Sequence, residues 1–146
     1  MEIKTNKVFW HLQNSKSKYV IEQGGTRSGK TYNILIWLIV YGNTHKNKTI
    51  TICRKSFPSL RGSVYRDFIE ILQTANLYDE NFHNKTENTY KLNGNLFEFI
   101  AVDQAQKIRG RKRNILFINE ANEINYEEFF QLDIRTTERV IIDYNP

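Results

Sequence analysis

Gly24-Gly25-Thr26-Arg27-Ser28-Gly29-Lys30-Thr31 constrains the fold of this chain more than any other stretch. In the pattern Gly-x4-Gly-Lys-Thr, backbone N–H groups turn inward onto phosphate oxygens. The lysine reaches the β- and γ-phosphates, and the threonine hydroxyl is offered to Mg²⁺. Such a cradle needs a strand running into the loop and a helix leaving it. Tyr19-Val20-Ile21 reads as that strand and residues 32–41 as that helix. Residues 34–40 are rich in β-branched side chains, as a strand would be, but their place directly behind the loop predicts a buried helix. The motif makes ATP hydrolysis the leading reading, against the plainer one of a glycine-rich turn that binds nothing.

The rest of the chain alternates strand and helix patterns with no internal repeat, low-complexity tract or linker, so residues 1–146 are expected to form one α/β domain around a largely parallel sheet. Residues 48–53 form a β-branched run, and Leu60, Val64, Phe68, Ile71 and Leu72 follow at helical spacing as core positions. Tyr90-Lys91-Leu92, Asn93-Gly94-Asn95 and residues 96–99 read as a hairpin, because Asn-Gly supplies the positive φ of a tight turn. Ile115-Leu116-Phe117-Ile118 is a continuous apolar strand of the kind buried on both faces. A short helix over 126–132 and a strand over 140–143 close the chain.

At the end of the apolar strand stand Asn119 and Glu120. A phosphate-loop ATPase usually carries Asp then Glu there, the first holding a Mg²⁺-bound water and the second polarising the attacking water. Asn119 accepts a hydrogen bond from such a water but brings no charge, which predicts weaker Mg²⁺ affinity. Glu120 keeps the role of general base. The alternative is a strand end whose polar residues only cap the next helix.

Net charge +5 permits an anionic partner without identifying one. A single cysteine, Cys53, excludes an internal disulfide, and three scattered histidines lack zinc-ligand spacing, so Mg²⁺ is the only metal expected. Residues 34–41 are too few to span a bilayer and the first residues lack a signal-peptide core, which predicts a soluble, cytoplasmic protein.

Together these residues resemble the large terminase subunits of tailed bacteriophages, the ATPases that pump DNA into capsids. The likeness takes in Ile52-Cys53-Arg54-Lys55, Leu60-Arg61-Gly62-Ser63-Val64-Tyr65, the Asn93-Gly94 hairpin and Ile108-Arg109-Gly110. It continues through Phe117-Ile118-Asn119-Glu120-Ala121-Asn122-Glu123 and the closing Ile141-Ile142-Asp143-Tyr144-Asn145-Pro146. The resemblance implies a P-loop NTPase of the ASCE/RecA-like kind: a three-layer sandwich with a mainly parallel central sheet and an added β-hairpin. It implies ATP and Mg²⁺ as cofactors. Gly24, Gly25, Thr26, Arg27, Ser28, Gly29, Lys30, Thr31 and Asn145 would then line the nucleotide, Thr31 and Asn119 serve the metal, and Glu120, Lys30 and Arg27 carry catalysis.

The implied partners are double-stranded DNA, a portal protein, a small terminase subunit and further copies in a ring. The sequence stops before a family nuclease domain would begin and before the family's ATPase domain would normally finish, so nuclease activity is not expected. A helicase-like nucleic-acid ATPase and a non-catalytic remnant that binds nucleotide or DNA are the rival readings.

Several residues keep two readings. Arg27, a recurring family variant inside the loop, is either an arginine finger acting in cis or on a neighbouring subunit, or an exposed loop residue. Asn145 is either a sensor of the γ-phosphate or part of a loose chain end. Lys107, Arg109, Arg111, Lys112 and Arg113 place five positive charges in seven residues, to be read as a solvated loop, a DNA-phosphate contact or a finger for a neighbour's nucleotide. Arg54 is a candidate coupling residue. Trp10, His11 and Gln13 lie where related motors contact adenine, with edge packing the plainer reading.

Overall fold

The computed structural model describes residues 6–24, 29–104 and 110–146. Helix α1 (Lys7–Asn14) is capped by Asn6, whose side chain accepts from the Val8 N–H at 2.9 Å. Strand β1 (Tyr19–Gln23) leads towards the glycine-rich loop, and α2 (Lys30–Thr44) leaves it. The β-branched run 34–40 is therefore helical. Asn33 to Ile39 are all buried, and burial on nearly every side explains the lack of a polar stripe. Gly42 is needed where α2 crosses the sheet, since a Cβ there would lie 2.9 Å from Phe97 Cζ.

β2 (Thr49–Arg54) is followed by α3 (Phe57–Leu60), a π-turn (Arg61–Tyr65) and α4 (Arg66–Thr74). All five apolar positions expected on this segment are buried, the π-turn notwithstanding. β3 (His83–Asn84), β4 (Thr89–Leu92) and β5 (Asn95–Ala101) form a meander. Its Asn93-Gly94 turn has φ of 52° and 79°, the positive pair a two-residue hairpin demands. β6 (Arg113–Ile118), α5 (Tyr126–Asp133) and β7 (Thr136–Tyr144) complete the chain. The last strand starts four residues earlier than its apolar run suggested, because Arg113 and Arg139 on β6 and β7 continue the pairing through polar residues.

The seven strands lie in the order β1-β7-β6-β2-β5-β4-β3. The first five are parallel, and β4 and β3 add antiparallel to β5. Neighbouring β6 residues face opposite layers. Ile115 and Phe117 pack with Phe9, Leu12, Ile34 and Phe68 from α1, α2 and α4, whereas Leu116 and Ile118 pack with Leu132 of α5. That alternation makes the three layers. No helix among the described residues is long and apolar enough to cross a membrane.

Candidate active site

The carboxyl ends of β1, β6 and β7 meet at one sheet edge, the place where open parallel sheets gather ligands. β1 delivers Gly24, whose N–H donates to Tyr144 O at 3.4 Å. Gly29 takes the left-handed conformation, φ 73°, and a Cβ there would also lie 3.3 Å from Asn6 Nδ2. The second glycine of the Gly-x4-Gly pattern is thus required by its backbone conformation, and a Cβ would in addition crowd the Asn6 amide. Gly25, Thr26, Arg27 and Ser28 lie outside the described residues, and so do Lys107 and Arg109.

Lys30 opens α2 and is 4% exposed. Its ammonium donates to Gly24 O at 3.1 Å and to Asn145 Oδ1 at 2.8 Å. Both acceptors are uncharged oxygens. A buried cation held in this way favours an anion close by. Asn145 is central: its Nδ2 donates to Glu120 Oε1 at 2.8 Å, so one side chain joins the loop lysine to the expected base. Glu120 itself sits at φ 54°, ψ 56°. This left-handed turn is costly for a residue with a side chain and swings the carboxylate out of the line of β6.

The residue that sequence reasoning gave no role is Asp143. It is fully buried at the end of β7, and three neighbours point at it. Oδ2 accepts from the Thr31 hydroxyl at 2.7 Å, Oδ1 accepts from the Glu120 N–H at 2.8 Å, and the Asn119 amide donates to both oxygens at 3.0 and 3.1 Å. Burial pushes the Asp143 carboxyl above its ordinary range, and these donors and the Lys30 charge offset that rise only in part. Its one sequence signal was an acid closing an apolar strand two residues before Asn145. Asn119, 3% exposed, thus faces Asp143 through its amide nitrogen.

Thr31, Asn119 and Asp143 offer a hydroxyl, an amide and one carboxylate. Among the described residues no group of three His, Cys, Asp or Glu could hold a metal alone. This donor set fits an ion that brings phosphate and water ligands with it, as Mg²⁺ does.

Away from this edge the expected residues separate. Arg113 is not on a solvated face: it is 1% exposed, with Nε on Thr51 Oγ1 at 3.0 Å and Nη1 on Leu132 O at 3.0 Å, which removes it from any DNA-contacting run. It begins β6, a strand that must enter the core before reaching Asn119. Arg111 pairs with the buried Glu98 at 2.7 Å, and Lys112 is exposed. Arg54 grips Glu123 from Nε at 3.0 Å and Ser63 from Nη1 at 3.0 Å, tying β2 and the π-turn to the turn after Glu120. Gln13 accepts from Trp37 Nε1 at 3.0 Å, His11 pairs with Glu22 at 2.5 Å, and Trp10 is 54% exposed. A cleft of about 380 Å³ beside Trp37, Tyr41, His45 and Arg139 lies at the far end of α2. It runs from about 10 to 20 Å along the helix from Lys30 and is apart from this site.

A family model described as phage terminase large subunit matches residues 16–146. The chain belongs to that family. Among solved structures, the large terminase of a thermophilic bacteriophage is similar at TM-score 0.82 and 19% identity, over 96% of this chain and 38% of its own. The same terminase in complex with ATP-gamma-S is similar at TM-score 0.72 and 18% identity, over 96% and 36%. The large terminase ATPase domain of Thermus phage P74-26 is similar at TM-score 0.70 and 14% identity, over 98% of this chain and 65% of its own. No curated protein matches. At these identities the terminase likeness is one of fold. This terminase chain spans 38% of the length of the thermophilic phage's protein.

Proposed function

We propose that this terminase chain is a Mg²⁺-dependent ATPase that drives double-stranded DNA into a procapsid. Its partners would be a portal protein, a small terminase subunit and further copies in a ring. The observation carrying this reading is the buried Lys30 ammonium, held by uncharged acceptors where Thr31, Asn119, Glu120 and Asn145 converge. Family membership supports it, as does the fold shared with a large terminase crystallised with ATP-gamma-S and with ADP.

In this reading Lys30 leaves Gly24 O and Asn145 for the β- and γ-phosphates, a short move for a four-carbon side chain. Thr31 and Asn119 line the place of the Mg²⁺, which when bound neutralises charge on the phosphoryl oxygens. Glu120, freed from Asn145, accepts the proton of the attacking water. Asn145, released by both partners, has its amide free for the γ-phosphate, which makes it a sensor. Gly25, Thr26, Ser28 and Arg27 complete the phosphate loop, Arg27 as a finger for the transferring group. Lys112, with Lys107 and Arg109, is the basic segment that meets duplex phosphate or a neighbour's nucleotide.

Phosphate release with Mg²⁺, measured alone, with duplex DNA and with single-stranded DNA, tests the proposal. Release stimulated by duplex DNA and abolished in Glu120→Gln is expected. Stimulation by single strands alone would favour a helicase-like enzyme, and ATP binding without release a non-catalytic domain.

A further inference from the structure

Asn119 stands where a phosphate-loop ATPase usually places its metal-serving carboxylate, but the charge has not left the site. It has moved one strand across. β6 and β7 run parallel with Ile118 opposite Ile142, so the next residues, Asn119 and Asp143, emerge side by side at the carboxyl edge. We infer that Asp143 on β7, held by Asn119 on β6, supplies the carboxylate that retains the divalent cation of the bound nucleotide. This rests on the nucleotide-binding reading above.

Three observations carry it. Thr31 donates its single hydroxyl proton to Asp143 Oδ2 at 2.7 Å and accepts a long bond from the Asn119 amide at 3.5 Å, which leaves its second oxygen lone pair for a cation. Asp143 is then one hydroxyl away from that cation, the range at which an outer-shell carboxylate acts through a ligand or a bound water.

Secondly, among the described residues every hydrogen-bond donor on Asp143 is uncharged: the Thr31 hydroxyl, the Glu120 N–H and the Asn119 amide, with the Lys30 charge acting on it only through space. A fully buried carboxylate facing an incoming triphosphate brings two anions together, and a divalent cation between them resolves the repulsion.

Thirdly, Asn119 at 3.0 and 3.1 Å from the two carboxylate oxygens leaves no room for a second carboxylate, since like charges at that separation do not both ionise. The neutral residue on β6 and the acid on β7 therefore form one pair with exchanged positions.

The test compares the parent chain, Asp143→Asn, Asn119→Asp and the exchange variant Asn119→Asp/Asp143→Asn. ATP-gamma-S affinity is titrated in EDTA and across a Mg²⁺ series, with thermal unfolding of each nucleotide-free protein. Asp143→Asn should keep or tighten affinity in EDTA while raising the half-saturating Mg²⁺ concentration about 10- to 100-fold. The exchange variant should return that concentration to within about threefold of the parent, and it serves alone if Asp143→Asn does not fold.

Mg²⁺ dependence unchanged in Asp143→Asn, not restored in the exchange variant, or improved in Asn119→Asp alone would overturn the inference. A parent chain that binds ATP-gamma-S neither in EDTA nor with Mg²⁺ would instead overturn the proposed function, and this inference with it.

Discussion

Asn145 donates its amide to Glu120 Oε1 at 2.8 Å while its own oxygen holds Lys30. The proposed base and the proposed phosphate ligand therefore share one neutral bridge, and neither is in its working position until that bridge opens. Asn145→Ala removes the bridge and with it the amide proposed to reach the γ-phosphate during transfer, so it should leave ATP-gamma-S affinity within about threefold and lower turnover about tenfold, the scale of one hydrogen bond to a charged group. Asn145→Asp should behave differently. Its carboxylate would pair with Lys30, compete with phosphate and weaken nucleotide binding, as a titration of the two variants would show.

Glu120 holds a left-handed backbone that glycine adopts freely. Glu120→Gly should therefore raise unfolding free energy by about 1 kcal/mol while abolishing turnover. Chemical denaturation and phosphate release measure the two effects. A loss of stability would show that the turn is held by its side chain rather than strained by it.

The basic segment divides into residues with different work. Arg111→Gln should cost about 1 to 2 kcal/mol, because it strips the charge partner from the buried Glu98 carboxylate. Lys112→Gln should leave stability unchanged and lower the slope of log DNA affinity against log salt by about 0.9 if Lys112 meets a duplex phosphate. Denaturation and salt-dependent DNA binding separate these outcomes.

Glu128 closes the capping box of α5 with Asn125 and bonds Lys55 at 2.6 Å. Burial raises its carboxyl, but Lys55 and the Asn125 N–H outweigh that and bring it below its ordinary 4.5. The folded form thus prefers the charged state, so its stabilisation is full above that value and is lost as pH falls through the lower folded one. Glu128→Gln should flatten the acid side of the stability curve, measured by thermal unfolding from pH 6 downward.

Much of this architecture was readable because the decisive signals are local. Lys30 and Thr31 follow from a motif whose chemistry needs a strand before and a helix after, and Asn93-Gly94 specifies its own turn. Asn119 and Glu120 were legible from the strand they end. The place of Asp143 beside them was not, since it depends on which strand lies beside β6, and strand order is a property of the sheet rather than of any segment. Arg113 misled for a similar reason: charge density along the chain suggested solvent, while the pairing of β6 with β2 and β7 carried that guanidinium into the interior beside Thr51. The bridge by Asn145 joins residues 115 and 25 positions away, beyond any sequence pattern.

Binding of the triphosphate by Lys30 is the central claim. Titrating ATP-gamma-S against the parent chain and Lys30→Ala, with thermal unfolding as the control for folding, tests it most directly. The predicted result is saturable binding by the parent and affinity lower by about 10- to 100-fold in Lys30→Ala, with the fold retained. Equal affinity in the two proteins would contradict the assignment of this edge as the nucleotide site.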